Sequence, residues 1–346
     1  MSCTRPLQAY RSVLHTTENK KSRIFFKLID SNNHAYEEIE LPCGQCLACR
    51  ISKSREWALR IIHESCIWEH NSFITLTYNP ENIDLSNRKC HNCDLYKRNG
   101  QRCPTGSLCK KDYQDFMKRL RKKFDGKQKD KNNKEPIRYF HCGEYGEQLK
   151  RPHHHAILFN FDFDDKVLFK NSTDKTCKLY ISESLTKLWP HGFSTIGEVT
   201  WQSAAYVARY CTKKVTGDVA AVHYLAGHPD TETGECYYLE PEYLTMSNRP
   251  GIGYEWFEKY GIKQYEKDFI THNNLKFAIP TYYDKLYQRT QNDMSIIKEK
   301  RRQRACRHNP ETLREHIKRN QAKEVILNQR FEKLMRSIEK NDTTNV

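Results

Sequence analysis

Residues 137–160 read IRYFHCGEYGEQLKRPHHHAILFN, and this stretch decides the fold. Two runs rich in aromatic and branched residues, IRYFHCGE and HHHAILFN, are joined by YGEQLKRP, the pattern of an antiparallel pair of strands. Side chains alternate faces along a strand, so His153 and His155 point to one side and His154 to the other. Two imidazoles so placed can hold one divalent ion, and an oxygen donor as third ligand would suit Mg²⁺ or Mn²⁺. Glu144 ends the first strand, and the return through 145–152 brings it opposite His153. Two histidines in a strand are usually no more than that; the carboxylate across the hairpin is what makes a metal site of them.

A second decisive stretch is TWQSAAYVARYCTKKV at 200–215, which reads as a helix. At about 100° per residue, Ala204, Ala208, Cys211 and Val215 fall in one narrow arc, the face to be buried. Tyr206, Tyr210 and Lys213 lie nearly opposite, flanked by Ser203 and Lys214. Tyr206 and Tyr210 are i,i+4 neighbours, so their phenols project side by side. Packing is the ordinary use of tyrosine, but the small residues already supply a packing face. The tyrosines beside lysines therefore suit contact with a substrate. A phenol, with its unperturbed pKa of about 10, is a poor nucleophile at neutral pH unless it attacks a group polarised by a metal ion.

The remaining elements surround these two. Residues 1–42 read as an irregular segment with one or two strands, for example Arg23–Ile29. EWALRIIHESCIWE at 56–69 has helical spacing of Trp57, Ile61, Cys66 and Trp68, and FITLTYN at 73–79 is a strand ended by Pro80. Residues 86–134 carry 16 Lys and Arg against 5 Asp and Glu. Their second half, KKDYQDFMKRLRKKF, is a helix with Tyr113, Phe116, Met117, Leu120 and Phe124 on one stripe and a basic face that is either solvated or laid on phosphates. A helix is expected around 178–189, a strand at 193–199 and turns with aromatic residues at 241–262. From about 295 the chain is a charged helical tail; residues 291–346 hold 14 Lys and Arg against 8 Asp and Glu.

The expected class is therefore α+β: a central antiparallel β-sheet flanked by helices, with a cysteine-rich basic insertion and a charged helical C-terminal tail. The expected organisation is an N-terminal segment over 1–72, a catalytic domain over 73–262 that includes the insertion at 86–134, and a largely helical region over 263–346. A net charge of +15 and a pI near 9.1 call for a polyanionic partner, nucleic acid before an acidic membrane surface. There is no run of about 18 apolar residues to span a membrane, and MSCTRPLQAYRSVLH lacks the apolar centre of a signal peptide. A cytoplasmic location follows as the expectation, in which the 14 cysteines read as thiols or metal ligands.

The cysteines form two groups. Cys43, Cys46 and Cys49 have the spacing of thiolate ligands but no obvious fourth donor. Cys90, Cys93, Cys103 and Cys109, with His91 as an alternative, offer a closed tetrahedral set for structural Zn²⁺.

Taken together, FITLTY, the HCGEYGE…RPHHHAILF hairpin and YVARYCTKK at 206–214 resemble the HUH endonucleases of rolling-circle replication. The resemblance is greatest to the replication initiators of gokushovirus-type microviruses, which LPCGQCLACR at 41–50 and MSNRPGIGYEWF at 246–257 also resemble. It spans 41–257, and it is the combination in this order that is specific. The resemblance implies metal ligation by His153, His155 and Glu144, nucleophilic Tyr206 and Tyr210, and an assisting Lys213 or Lys214. His154 departs from the pattern, since a bulky apolar residue is usual between the two histidines. The implied activity is metal-dependent nicking of single-stranded DNA at the viral origin, with a 5′-phosphotyrosine adduct, a free 3′-OH and later rejoining. The implied location is the bacterial host cytoplasm. With no G-x-x-x-x-G-K-[ST] loop in the chain, unwinding falls to a host helicase and synthesis to a host polymerase. The rival readings are a zinc-stabilised nucleic-acid-binding protein without catalysis and a related HUH transposase or relaxase.

Overall fold

The computed structural model describes residues 3–16, 22–27, 36–83, 106–124, 136–146, 150–171, 178–209, 215, 218–225, 238–290, 293–306 and 312–343. They fall into two compact units, one made of 1–53 with 303–346 and the other of 54–302.

In the first unit, β1 (Leu7–Thr16), β2 (Ser22–Phe25) and β3 (Tyr36–Leu41) form an antiparallel sheet with β1 in the middle. This segment is more regular than expected. Its alternation is weak because the sheet is small and mostly solvated, so period-2 hydrophobicity barely shows in YEEIEL. The C-terminal helix Leu313–Thr343 belongs to the same unit, where Glu324 pairs with Arg5 at 2.9 Å.

The second unit is built on a seven-stranded sheet. Its strands are β4 (Asn71–Tyr78), β5 (Arg138–Tyr145), β6 (Pro152–Phe159), β7 (Lys166–Asn171), β8 (Lys178–Ser182), β9 (Gly192–Gly197) and β10 (Tyr243–Met246). The order across the sheet is β10-β5-β6-β4-β9-β8-β7, and every neighbouring pair is antiparallel. The class expected from the sequence is the one observed. β6, which carries the three histidines, lies between β5 and β4 with side chains buried on both faces.

Helices cover each face. α1 (Leu47–Ser65) and α5 (Trp201–Arg209) lie on one, α3 (Lys110–Phe124) and α4 (Glu183–Leu188) on the other; α2 is the single turn Pro80–Ile83. On the first face Ala58, Ile61 and Ile62 of α1 and Ala204, Val207 and Ala208 of α5 pack on Phe140, Cys142, Ile157 and Phe159. On the second, Tyr113, Phe116, Met117 and Leu120 of α3 join Leu185, Leu188 and Trp189 against Ile74, Leu76 and Tyr78 of β4. The helical stripe anticipated at 113–120 is thus the buried one. Its basic side chains are partly spent on structure: Arg119 donates to the Leu188 carbonyl and Arg121 to that of Ile137, both at 3.0 Å.

Three elements differ from expectation. Residues 178–189 split into a strand and a short helix, because Ser182 caps the helix through the Leu185 amide at 3.1 Å and stops it extending backward. α1 begins at Leu47, well before 56, over a polar first half that shows no apolar stripe. β7 and β10 are edge strands; Val167, Leu168 and Phe169 are exposed, and four-residue β10 is too short to announce itself by alternation. Among the described residues no helix is long and apolar enough to cross a membrane.

Candidate metal centre and tyrosine helix

The register of the hairpin sets the site. Glu144 pairs with His153 and Cys142 with His155, while His155 and His153 on their other side face Thr75 and Thr77 of β4. Residues directly opposite share a face, so Glu144, His153, His155, Thr75 and Thr77 stand on the α5 side of the sheet. Glu144 Oε1 lies 2.8 Å from His155 Nε2, and both residues are buried. His155 Nδ1 lies 3.0 Å from Thr75 Oγ1 and His153 Nδ1 lies 2.9 Å from Thr77 Oγ1. With Nδ1 tied to a threonine in each ring, Nε2 is the nitrogen available for ligation, the usual way a neighbouring hydrogen bond selects the coordinating atom.

The donors are not drawn up around a point. The His153 and His155 rings are 6.2 Å apart between centroids. Among the described residues, only a set of cysteines has three or more donor atoms all within 4.8 Å of one another. The physical reason is strand geometry: residues i and i+2 are about 6.6 Å apart along the chain, so their rings converge only by rotation. Room for that exists at Gly146, where a Cβ would sit 2.9 Å from His153 Nε2. Two imidazole nitrogens and a carboxylate oxygen, with no thiolate nearby, fit a hard or borderline divalent cation such as Mg²⁺ or Mn²⁺.

His154 faces the other way and is fully buried. Its Nδ1 lies 3.2 Å from His141 Nε2 and its Nε2 lies 3.1 Å from the hydroxyl of Tyr78, which donates to Asp112 at 2.8 Å. Thr245 Oγ1, 2.8 Å from His141 Nδ1, closes the other end of the chain of bonds. Burial pushes the His154 pKa down to about 3, so the ring is neutral at neutral pH. A polar residue where an apolar one is usual is therefore accommodated by partners on both nitrogens. The chain of bonds ends on α3 and β10, elements distant in sequence.

α5 begins with a reciprocal cap: Ser203 N donates to Thr200 Oγ1 at 3.2 Å and Thr200 N to Ser203 Oγ at 2.8 Å. This fixes where the helix starts and so which side chains face the sheet. Ala204, Val207 and Ala208 are buried, and Tyr206 is half-buried beside the histidines. The Tyr206 ring stands edge-on to His155, with centroids 5.2 Å apart and an interplanar angle of 86°. Phe73 lies 6.3 Å away and the Arg209 guanidinium 5.4 Å over the phenol ring. Tyr210, Lys213 and Lys214 lie outside the described residues.

The elements around the site are held by a buried ion pair. Arg138 Nε of β5 donates to Glu64 Oε1 of α1 at 2.6 Å, while Glu64 Oε2 accepts from the Gly253 amide at 2.6 Å. Arg138 also donates to the Pro250 carbonyl at 2.8 Å. The MSNRPGIGYEWF segment thus meets the sheet and α1 through one charged pair.

The cysteines of the first unit fall close together. The Sγ atoms of Cys3, Cys43, Cys46 and Cys49 all lie within 4.8 Å of one another, a group that could hold a metal ion. Cys3 is the fourth donor that spacing did not reveal. No local signal points to it, because it lies 40 residues from Cys43 and meets it only through the pairing of β1 with β3. Cys90, Cys93, Cys103 and the alternative His91 lie outside the described residues, and Cys109 is buried just before α3.

A single antiparallel sheet bearing two histidines and a carboxylate, with a tyrosine helix against them, is the setting in which comparison with known proteins becomes informative. The family model of the ORF2 type of replication-associated protein matches residues 71–215, from β4 through the tyrosine helix. Replication-associated protein VP4 of Bdellovibrio phage phiMH2K is 30% identical over 290 residues, 84% of this chain and 78% of that protein. Replication-associated protein ORF2 of Spiroplasma virus 4 is 31% identical over 324 residues, 89% of this chain and 88% of that protein. Replication-associated protein ORF4 of Chlamydia phage 1 is 24% identical over 257 residues, 72% of this chain and 54% of that protein. No solved structure matches the chain. The chain belongs to the replication-associated proteins of gokushovirus-type microviruses.

Proposed function

We propose that the chain initiates replication of a single-stranded DNA genome by nicking the strand at the origin and remaining covalently attached to it. The observation that carries this reading is the meeting of Glu144, His155 and Tyr206 from β5, β6 and α5 on one sheet face. His153, His155 and Glu144 would hold Mg²⁺ or Mn²⁺, with His153 turning inward to join the other two. A divalent ion bound there supplies polarisation of the scissile phosphate and neutralises charge on the leaving oxygen.

The protein's own groups do the rest. The Tyr206 or Tyr210 phenol loses its proton and its oxygen bonds to phosphorus. The bond from phosphorus to the 3′-oxygen breaks, and that oxygen takes up a proton as a free 3′-OH. The product is a 5′-phosphotyrosine ester, which conserves the phosphodiester energy for rejoining. Tyr210, one helical turn on, would take the next strand. Lys213 and Lys214 would offset phosphate charge. Phe193 of β9 pairs with Thr77, which in turn pairs with His153, so its exposed ring shares the face of the histidines and offers a surface for a stacked base. α3 lies across the sheet, so its lysines are not beside the histidines.

The test uses labelled single-stranded oligonucleotides tiled across the viral origin region, with Mn²⁺, and denaturing electrophoresis. A covalent adduct is expected from the native chain and none from Tyr206→Phe combined with Tyr210→Phe. Continued cleavage by the double variant rules out tyrosine attack. Binding without any adduct would instead favour a non-catalytic nucleic-acid-binding role, for which the cysteine quartet is the supporting feature.

A further inference from the structure

We propose that Cys3, Cys43, Cys46 and Cys49 form a closed, structural zinc site that fastens the start of the chain to the beginning of α1. The site lies in the first unit and is independent of the nicking mechanism.

Topology delivers the ligands. β1 and β3 pair with Leu7 opposite Leu41, so the residues before Leu7 run beside those after Leu41. Cys3, four residues before the strand, thereby meets Cys43, two residues after its partner. Cys43 begins a tight turn in which Gly44 takes a φ of 73°, a conformation glycine adopts without strain. The Cys43 sulfur accepts backbone N–H bonds from Gln45 at 3.4 Å and Cys46 at 3.2 Å, and the Cys3 sulfur accepts from the Cys43 amide at 3.4 Å. Amides aimed at sulfur stabilise thiolate over thiol. Cys49 sits in the first turn of α1, three residues after Cys46 and so on the same side of the helix start. The positive end of the helix dipole favours thiolates there.

The distances select the chemistry. Cys3 Sγ lies 3.6 Å from both Cys43 Sγ and Cys46 Sγ. Four thiolates at the zinc–sulfur distance of about 2.3 Å form a tetrahedron with edges of about 3.8 Å. A disulfide needs sulfurs about 2.0 Å apart. An iron–sulfur cluster, with several metal and sulfide atoms between its ligands, holds thiolates farther apart. Four protein ligands leave no open position, which is the mark of a structural and not a catalytic site. Because Cys3 and Cys43 are 40 residues apart, the ion would close a long loop and hold β1 against β3.

The test is metal analysis of the full chain purified without chelator, alongside Cys3→Ser, Cys3→His and Cys66→Ser. Cys3→Ser is expected to lose about one equivalent of zinc relative to the native chain. Cys3→His should retain it, because imidazole can replace a thiolate, and Cys66→Ser should match the native chain. After exchange with Co²⁺, the native chain should show intense thiolate-to-cobalt absorption that Cys3→Ser weakens, while Cys3→His shifts the visible bands to shorter wavelength. A measurement without variants is alkylation of the native chain mapped by peptide mass spectrometry, in which Cys3 should react only after zinc is chelated. Unchanged zinc in Cys3→Ser, iron in place of zinc, or a Cys3 that alkylates equally with and without chelator would each overturn the proposal.

Discussion

Glu144 Oε1 lies 2.8 Å from His155 Nε2, although the two residues are not directly opposite in the β5–β6 register. The carboxylate reaches diagonally past its partner His153 to the next histidine on the same face. The site is therefore half-assembled: one nitrogen and one oxygen are already adjacent, and the second nitrogen is held back by Thr77.

The threonines of β4 are expected to matter to metal binding as much as a ligand's own support does. Thr75→Val removes the group that fixes His155 Nδ1 and should lower Mn²⁺ affinity about 10- to 100-fold, measured by electron paramagnetic resonance titration. Unchanged affinity would remove His155 from the ligand set or Thr75 from its support.

Gly146 is expected to tolerate no side chain in the metal-bound protein. A Cβ there falls 2.9 Å from His153 Nε2, so Gly146→Ala should impair Mn²⁺ binding and leave the melting temperature near that of the native chain. If Gly146→Ala binds Mn²⁺ as the native chain does, His153 is not reached through that space.

Phe193 is exposed, so truncation should cost little stability. If a base stacks on its ring, Phe193→Ala should weaken single-stranded DNA binding by about 1–3 kcal/mol, read by fluorescence anisotropy at fixed salt. Equal affinity would place the DNA elsewhere on the sheet.

Removing one partner of the Arg138–Glu64 pair leaves the other buried and uncompensated. Glu64→Gln should destabilise the fold by about 3–5 kcal/mol in urea unfolding, with the Gly253 contact also weakened. A loss below about 1 kcal/mol would mean that water or another group takes over.

His63 stacks on Trp256 at 3.4 Å between centroids and lies 2.9 Å from the Tyr283 hydroxyl. Burial pushes its pKa down to about 3, whereas the unfolded chain takes up the proton near its ordinary value of about 6.5. Between those values the unfolded state binds more protons, so stability falls as pH falls through that window. From about pH 7 to 5 the loss from this one residue is about 2 kcal/mol. His63→Gln should lack that component in paired urea unfolding curves; an identical pH dependence would show that His63 is not held neutral.

The sequence by itself determined the chemistry on offer and its local direction. Alternation along PHHHAILF puts His153 and His155 on one face whatever the fold, and the hairpin length brings Glu144 back to them. Helical spacing likewise separates Tyr206 from the buried alanines. These are short-range consequences of backbone period, and so they are legible in one dimension. Tertiary structure decided what no period encodes. It set Thr75 and Thr77 behind the rings, gave His154 its partners on β5 and β4, and laid α5 over the histidine face. It also brought Cys3 to three cysteines 40 or more residues away, because strand pairing, unlike strand formation, joins residues whose separation along the chain carries no local signal.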